Sequence, residues 1–441
     1  MTDNDRLVSV GVLVDLDYGP LAGGHVKTWE RFAEAVAAMN DPQVDLTVYF
    51  LGRHEAMIPI ARHVRYHLLP PMLASERLRF VRQVGGHTDL TRFHRKLAAR
   101  LPRHHVLHIT SAFGFGRTAA RVARTCGQAL VYSIHTDAIS LARVYTQDAV
   151  RNLLGSRHAL TRLLLQRLRV QEWSAQAQSR SVARLLTASD HVFVSNAVDH
   201  AWVTRRLPAS AVSMLRRGID RDRFHPRWRD REWLAARFNI PVDMPVVLFA
   251  GRIDDSKRVM TVVEAVARYN TGGRRAHAVL AGDGQRAGSA RERLGPLVTL
   301  TGTLPQTDLA RLMASADLFA FPSEIETVGN VVIEAMAAGL PVIVSARGAP
   351  ARLVREPGRD GIVLHSSAQA AWTRAVAAML DSPATRERMG QNARATVEAH
   401  SPSWADVVQE DLLPIWSRLG RSSRAVPPFT ALARAADGAV A

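Results

Sequence analysis

The 441-residue chain contains one cysteine, Cys126, and three lysines, Lys27, Lys96 and Lys257. A single cysteine excludes a disulfide framework and any cysteine-rich zinc or iron–sulfur site, and fits a reducing compartment. No apolar run approaches the ~18–20 residues that cross a bilayer. The start, MTDNDRLVSV, is acidic and polar before it turns apolar, unlike the layout of a signal peptide, so a cytoplasmic protein is expected. Aromatic residues make up only 6% of the chain, and no G-x-G-x-x-G fingerprint occurs. The missing fingerprint counts against a nicotinamide-dependent enzyme. The Asp-x-Asp spacings present, Asp3/Asp5, Asp15/Asp17 and Asp220/Asp222, are not read as holding a metal-bound diphosphate, and no His/Cys cluster suggests a metal, so neither metal nor cofactor is expected.

What the chain has is length, apolar content and arginine. Its length predicts two or three domains with sizeable cores, and 47% hydrophobic residues exclude a disordered chain. The formal net charge is +17, carried almost wholly by arginine. Residues 56–185 hold 21 Arg and Lys against 5 Asp and Glu, a net of +16. A charge so concentrated implies an anionic partner: nucleic acid, a membrane surface or a phosphorylated substrate. Nucleic acid is the least supported of these, because no helix-turn-helix, zinc finger or aromatic RNA-binding signature is present.

Short β-branched runs alternate with helical patterns along the whole chain. LVSVGVLVD (7–15), VDLTVYFL (44–51), HVLHIT (105–110), ALVYSIHT (129–136) and HVFVSNA (191–197) read as strands, with helices at 28–39 and 88–99 among the segments between them. PVVLFAG (245–251), AHAVLAG (276–282), LVTLTG (297–302), DLFAFPS (317–323) and PVIVSA (341–346) repeat the logic, with helices at 259–269, 306–315, 329–338 and 369–380. Near-continuously apolar strands alternating with helices predict parallel sheets covered on both faces. The fold class is therefore α/β, with two Rossmann-like, doubly wound domains. The first is expected at 1–225 and the second at 240–400, joined through the polar, proline-punctuated stretch 223–245. Residues 401–419 read as a last amphipathic helix that Pro414 should kink or shorten, and 421–441 as a poorly ordered tail.

The chemistry gathers in FPSEIETVGNVVIEAMAAGLPVIVSARGAP (321–350). A buried strand ends at Pro322, a loop carries Glu324 and Glu326, and a helix begins near Gly329–Asn330 with Glu334 in its early turns. Unpaired N–H groups and the positive dipole end at such a helix start suit a phosphate. Two carboxylates beside it can accept hydrogen bonds from sugar or ribose hydroxyls; acid–base work of the glycosidase type and plain solvation at a helix start are the other uses. AGRIDDSKRV (250–259) places Arg252 and Lys257 after a strand, either to hold a diphosphate or as a solvated loop pair. Lysine is rare enough here that Lys257 signals a wanted point charge. AGDGQR (281–286) follows the next strand, and Gly23-Gly24 stands between the first strand and its helix, where glycines permit close backbone approach. His135 and Asp137 of SIHTD (133–137) end another strand.

In this order the motifs resemble the retaining nucleotide-sugar glycosyltransferases of family 4, with the GT-B fold. The pieces are GG (23–24), HTD (135–137), RRGIDRDRFHP (216–226), GRIDDSK (251–257), AGDG (281–284) and ADLFAFPSEIETVGNVVIEAMAAGLPVIVSARG (316–348), containing the E-x7-E pair Glu326 and Glu334. The resemblance covers about residues 7–419, is strongest in 245–365, and departs at Ala349, where relatives more often have glycine. It implies that Arg252 and Lys257 bind the donor diphosphate and that Glu334 bonds the ribose. It further implies that Glu326 contacts donor-sugar hydroxyls, with Gly282, Thr327, Val328, Gly329 and Asn330 beside the donor. Gly23 and Gly24 would approach the diphosphate from the N-terminal domain, His135 would stand by the reacting sugar carbon, and Asp137 and Lys27 would lie on the acceptor side. It implies too that the final helix crosses back to the N-terminal domain and that no metal is needed.

The expected partners are a nucleotide-diphosphate sugar and a hydroxyl acceptor. Residues 150–173 can be drawn as one helix with Leu153, Leu160, Leu164 and Leu168 on one side and Arg151, Arg162 and Arg169 on another. Such a helix fits an anionic lipid surface or ordinary packing against a sheet. With HTD, which resembles the motif of lipid-glycosylating relatives, this makes a lipid or lipid-linked acceptor the leading expectation, with peripheral membrane contact through 56–185. A soluble acceptor is the alternative.

Overall fold

The computed structural model describes residues 7–19, 22–73, 89, 91–134, 146–147, 150, 154, 159–271, 273–324, 326 and 328–423. The chain divides into two compact units, residues 1–216 with 404–441, and residues 217–403.

In the first unit, eight strands form one sheet among the described residues: β1 (Val8–Asp17), β2 (Val44–Leu51), β3 (Ala56–Ala61), β4 (Val64–Leu69), β5 (Val106–Ile109), β6 (Ala129–Ile134), β7 (His191–Val194) and β8 (Val212–Met214), in the order β3-β4-β2-β1-β5-β6-β7-β8. All neighbours are parallel except β3, which pairs antiparallel with β4 at the edge. Helix α1 (Gly24–Ala37) buries Val26, Trp29, Phe32, Ala33 and Val36, the i, i+3, i+4 stripe of an amphipathic helix, on one face of the sheet. Helices α2 (Gly114–Cys126) and α3 (Val170–Ala188) cover the other face, where Phe115, Ala119, Val182 and Leu186 pack on Leu107, Leu130 and Val192. The order reverses at β1, which lies between β2 and β5. Ligand crevices in open α/β sheets form beyond the carboxyl ends of strands at such a switch point.

The second unit is a six-stranded, all-parallel sheet: β9 (Val246–Ala250), β10 (His277–Ala281), β11 (Val298–Gly302), β12 (Leu318–Phe321), β13 (Val342–Ser345) and β14 (Ile362–Leu364), in the order β11-β10-β9-β12-β13-β14. β9, β10, β12 and β13 are buried at every position, as expected for strands covered on both faces. Helices α4 (Val259–Asn270) and α5 (Asn330–Ala337) follow β9 and β12. The switch point lies between β9 and β12, so the loops after both strands meet at one edge.

Three sequence expectations change. The division falls at Arg216–Arg217, before the expected joint at 223–245, and the second unit begins well ahead of 240. The polar stretch is structural: Ile219, Phe224, Leu234 and Ile240 enter the core of the second unit. Arginines satisfy its carbonyls, for Arg394 Nη1 donates to the carbonyl of Phe224 and to that of nearby Arg221, and Arg231 Nη2 donates to those of Val242 and Met244. The helix expected at 88–99 contracts, among the described residues, to one turn at Arg95–Ala98, capped by His94 Nδ1. The helix drawn at 150–173 is not continuous: Leu168 and Arg169 interrupt it, and Arg169 adopts φ 47° immediately before α3.

The terminal helix starts at Trp404, three residues after the expected 401, and runs on to Ser422. Residues 404–422 pack within the first unit, where Val407, Leu412 and Trp416 join the core on the α1 face. Pro414 does not end it. A widened turn at Val408–Leu412 precedes α6 (Leu413–Ser422), and this local unwinding accommodates a ring that lacks an N–H and crowds the carbonyl four residues back. Of the tail expected at 421–441, Arg421 and Ser422 belong to α6, and 424–441 lie outside the described residues.

Candidate active site

The loops after β9, β10 and β12 build the site in the second unit. The first two are zipped together by backbone bonds, Gly251 N–H to the Ala281 carbonyl and Ile253 N–H to the Asp283 carbonyl, both 2.9 Å. Gly282 is at φ 143°, and a Cβ there would stand 1.9 Å from the Gly251 carbonyl oxygen. No other residue allows the two loops to approach this closely.

Asp254 organises the cation loop. Its Oδ1 accepts from the Lys257 N–H at 3.1 Å and from the Ser256 hydroxyl at 2.5 Å, and its Oδ2 lies 3.3 Å from Arg252 Nη1. Arg252 Nη2 also donates to Ser256 Oγ at 3.0 Å, while its side chain remains 56% exposed. Lys257 is held inward, its side chain 14% exposed, and pairs with Glu326 from the loop after β12. A second cross-loop pair joins Arg258 to Glu324, whose other oxygen lies 3.6 Å from Arg347 Nη1. The site thus sets four cations, Arg252, Lys257, Arg258 and Arg347, around two glutamates on neighbouring strand ends.

Gly329 enters α5 at φ 83°, and a Cβ there would meet Pro350 Cγ at 2.8 Å. The turn aims the helix start at the glutamate loop, where the first-turn N–H groups favour negative charge. Glu334 is half-buried in the second turn of α5. Ala349, the departure from the family pattern, still makes a close backbone approach, its N–H donating to the Glu326 carbonyl at 3.0 Å. Two buried polar atoms at this edge have no hydrogen-bond partner: Ser323 Oγ, on a fully buried residue, and Asn330 Oδ1. Buried polar atoms are nearly always paired, so these two mark places where a ligand can bond.

The structure therefore gathers Arg252, Lys257, Gly282, Glu326, Val328, Gly329, Asn330 and Glu334 along one edge. It adds Ser323, Glu324, Arg258 and Arg347. Glu324 was visible in the sequence as a loop carboxylate, and Arg258 only as the residue after Lys257. In the first unit, Gly23 and Gly24 start α1 with open space around both Cβ positions. Lys27 is engaged locally: its Nζ donates to the Gly19 carbonyl at 3.2 Å and pairs with Glu30 at 2.7 Å. His135, Asp137 and Thr327 lie outside the described residues. Among the described residues, no group of three or more His, Cys, Asp or Glu side chains is arranged to hold a metal ion, and no helix is long and apolar enough to cross a membrane.

Residues 230–396 match the family model "Glycosyl transferases group 1". The D-inositol 3-phosphate glycosyltransferase of Nocardioides sp. is 31% identical over 223 residues, 46% of this chain and 48% of that protein. The chain spans about half the length of the curated relatives it matches. Among solved structures, sucrose-phosphate synthase from Thermosynechococcus elongatus superposes with a TM-score of 0.68 at 20% identity, covering 94% of this chain and 100% of that one. HepE from Anabaena, solved in complex with UDP, superposes with a TM-score of 0.62 at 16% identity, covering 93% and 100%. The second unit of this protein is a glycosyl transferases group 1 domain, and the chain that carries it has the GT-B fold of two Rossmann-like domains.

Proposed function

We propose that the protein is a retaining hexosyltransferase that uses a UDP- or GDP-linked sugar as donor. The observation that carries this reading is the cation–glutamate edge of the second unit, with Lys257 turned inward onto Glu326 and α5 opening beside them. A donor diphosphate competes with Glu326 for Lys257 and takes Arg252 as its second cation. That exchange frees the Glu326 carboxylate for sugar hydroxyls, while the amides at Val328–Asn330 face the phosphate and sugar and Glu334 accepts from the ribose. Arg252, Lys257 and the helix dipole balance the leaving group's charge in place of a metal ion. The acceptor oxygen forms its bond to the sugar carbon on the face from which the phosphate oxygen departs. The acceptor's proton passes to that phosphate oxygen, giving the nucleoside diphosphate. In this scheme His135 acts by the reacting carbon, Gly23 and Gly24 are donor-diphosphate residues, and Asp137 and Lys27 are the acceptor-side candidates. The UDP complex of HepE is consistent with a nucleotide-linked donor.

The acceptor in this reading is a lipid or lipid-linked hydroxyl, met through peripheral contact of residues 56–185 with an anionic membrane. Leu160, Leu163, Leu168 and Trp173 are 41–63% exposed within this basic stretch, which supports it. A soluble acceptor is the second reading. It is favoured by the interruption of the amphipathic helix at Leu168–Arg169 and by the relative named for D-inositol 3-phosphate. Turnover of a panel of UDP- and GDP-sugars with lipid and with soluble hydroxyl acceptors, with the product anomer read by NMR, tests both. Product retaining the donor's configuration is expected; an inverted product, or consumption of no nucleotide sugar, refutes the proposal.

A further inference from the structure

The concentrated positive charge of the first unit has a destination that glycosyl transfer does not use. Between α2 and α3, on the sheet face opposite α1, runs a groove of about 970 Å³. Arg92, Arg117, Arg121, Arg124 and Arg184 line it. Its one carboxylate, Asp190, has Oδ2 engaged by the Leu130 N–H at 2.8 Å.

Several arginines elsewhere are ion-paired, among them Arg216 with Asp411, Arg231 with Asp317 and Arg286 with Asp255. Among the described residues none of the five groove arginines is in an ion pair. Their contacts are backbone carbonyls, Thr91 for Arg117 and Arg180 for Arg184, and the face of Phe93 for Arg121. Like charges held this close repel unless an anion joins them. Burial lowers the Arg117 pKa, with Arg92 and Arg184 adding to the effect against the opposing pull of Asp15 and Asp89.

A second observation points the same way. Gln178 is only 9% exposed in the groove wall, and its Nε2 donor has no partner. The Arg117 Nε is likewise buried and unpartnered. An amide donor and guanidinium forks left open in one concave site match a multiply charged, tetrahedral oxyanion that accepts several hydrogen bonds at once. A carboxylate offers two oxygens and one charge, too little for five cations.

We propose that the α2–α3 groove is a binding site for a phosphoryl-bearing ligand, separate from the nucleotide-sugar site of the second unit. The ligand's chemistry is shared by two sources, a soluble phosphorylated molecule and the phosphate of a lipid headgroup.

Inorganic pyrophosphate titrated calorimetrically into the full chain tests this, with Arg252→Ala/Lys257→Ala present to remove diphosphate binding in the second unit. That chain is expected to bind pyrophosphate still. Adding Arg124→Glu/Arg184→Glu, both exposed positions, is expected to weaken binding about tenfold or more at an unchanged unfolding midpoint. Arg124→Lys/Arg184→Lys should retain part of the affinity. No binding by the Arg252→Ala/Lys257→Ala chain, or an affinity insensitive to the groove reversals, overturns the site. Sedimentation with vesicles separates the sources. Capture by phosphatidylglycerol-containing but not pure phosphatidylcholine vesicles, reversed by pyrophosphate and lost in Arg124→Glu/Arg184→Glu, assigns the headgroup. Pyrophosphate binding without capture assigns a soluble ligand.

Discussion

Asp254 shows how one side chain sets the donor site. It accepts from the Lys257 N–H and the Ser256 hydroxyl and pairs with Arg252, so both cations of the proposed donor site are positioned by it. Asp254→Ala is expected to raise the donor KM about tenfold while leaving kcat within a few-fold, because binding geometry is lost and the reacting groups remain. Steady-state kinetics with the native donor reads the split, and a fall confined to kcat contradicts it. Asp15 carries a different consequence. Burial pushes its carboxyl from the ordinary 3.8 up to about 7, against the N–H bonds it accepts from Phe115 and Asp89. Between those values the folded chain holds a proton that the unfolded chain has released. This contribution to stability is therefore full below about pH 4 and lost as pH rises towards 7. The unfolding midpoint of the native chain, taken relative to Asp15→Asn, should fall from pH 4 to 7 and level off above it. A constant difference contradicts the assignment.

Among the elements, α6 joins the core of the first unit. Trp416 is fully buried, donates its indole N–H to His108 Nδ1 at 3.1 Å, and packs in the core with Val407 and Leu412. His108 is fully buried and its pKa is pushed down to about 3, so the ring stays neutral and accepts that bond. Gly420 lies against Val8 of β1 so closely that a Cβ would stand 2.1 Å from Val8 Cγ1. Trp416→Ala is expected to cost about 3–5 kcal/mol, from lost burial and the cavity left behind. Denaturant unfolding followed by a first-unit probe measures it, and a loss under about 1 kcal/mol shows that α6 is merely appended. Residues 401–419 announced a helix through their apolar spacing. The widened turn before Pro414 was not announced, since the crowding is settled by where Val407, Leu412 and Trp416 must land in the core.

For the whole molecule, the parallel sheets were legible because buried strands read as unbroken apolar runs, and the cation–glutamate edge because Glu326, Glu334 and Lys257 keep recognisable spacing. The pairing of Arg258 with Glu324 was not, since it depends on β9 and β12 being neighbours across 66 residues. The boundary at Arg216–Arg217 was hidden for a similar reason. A polar stretch looks like a linker until arginines distant in sequence, Arg394 above all, reach its carbonyls. Of the 21 cations in residues 56–185, five arginines line the basic groove of the first unit.

Donor turnover by the full chain, native beside Lys257→Ala, tests the central claim most directly. The account predicts that a UDP- or GDP-sugar is consumed by the native chain, and that Lys257→Ala lowers kcat/KM about 100-fold or more at an unchanged unfolding midpoint. Turnover by Lys257→Ala close to native would contradict it.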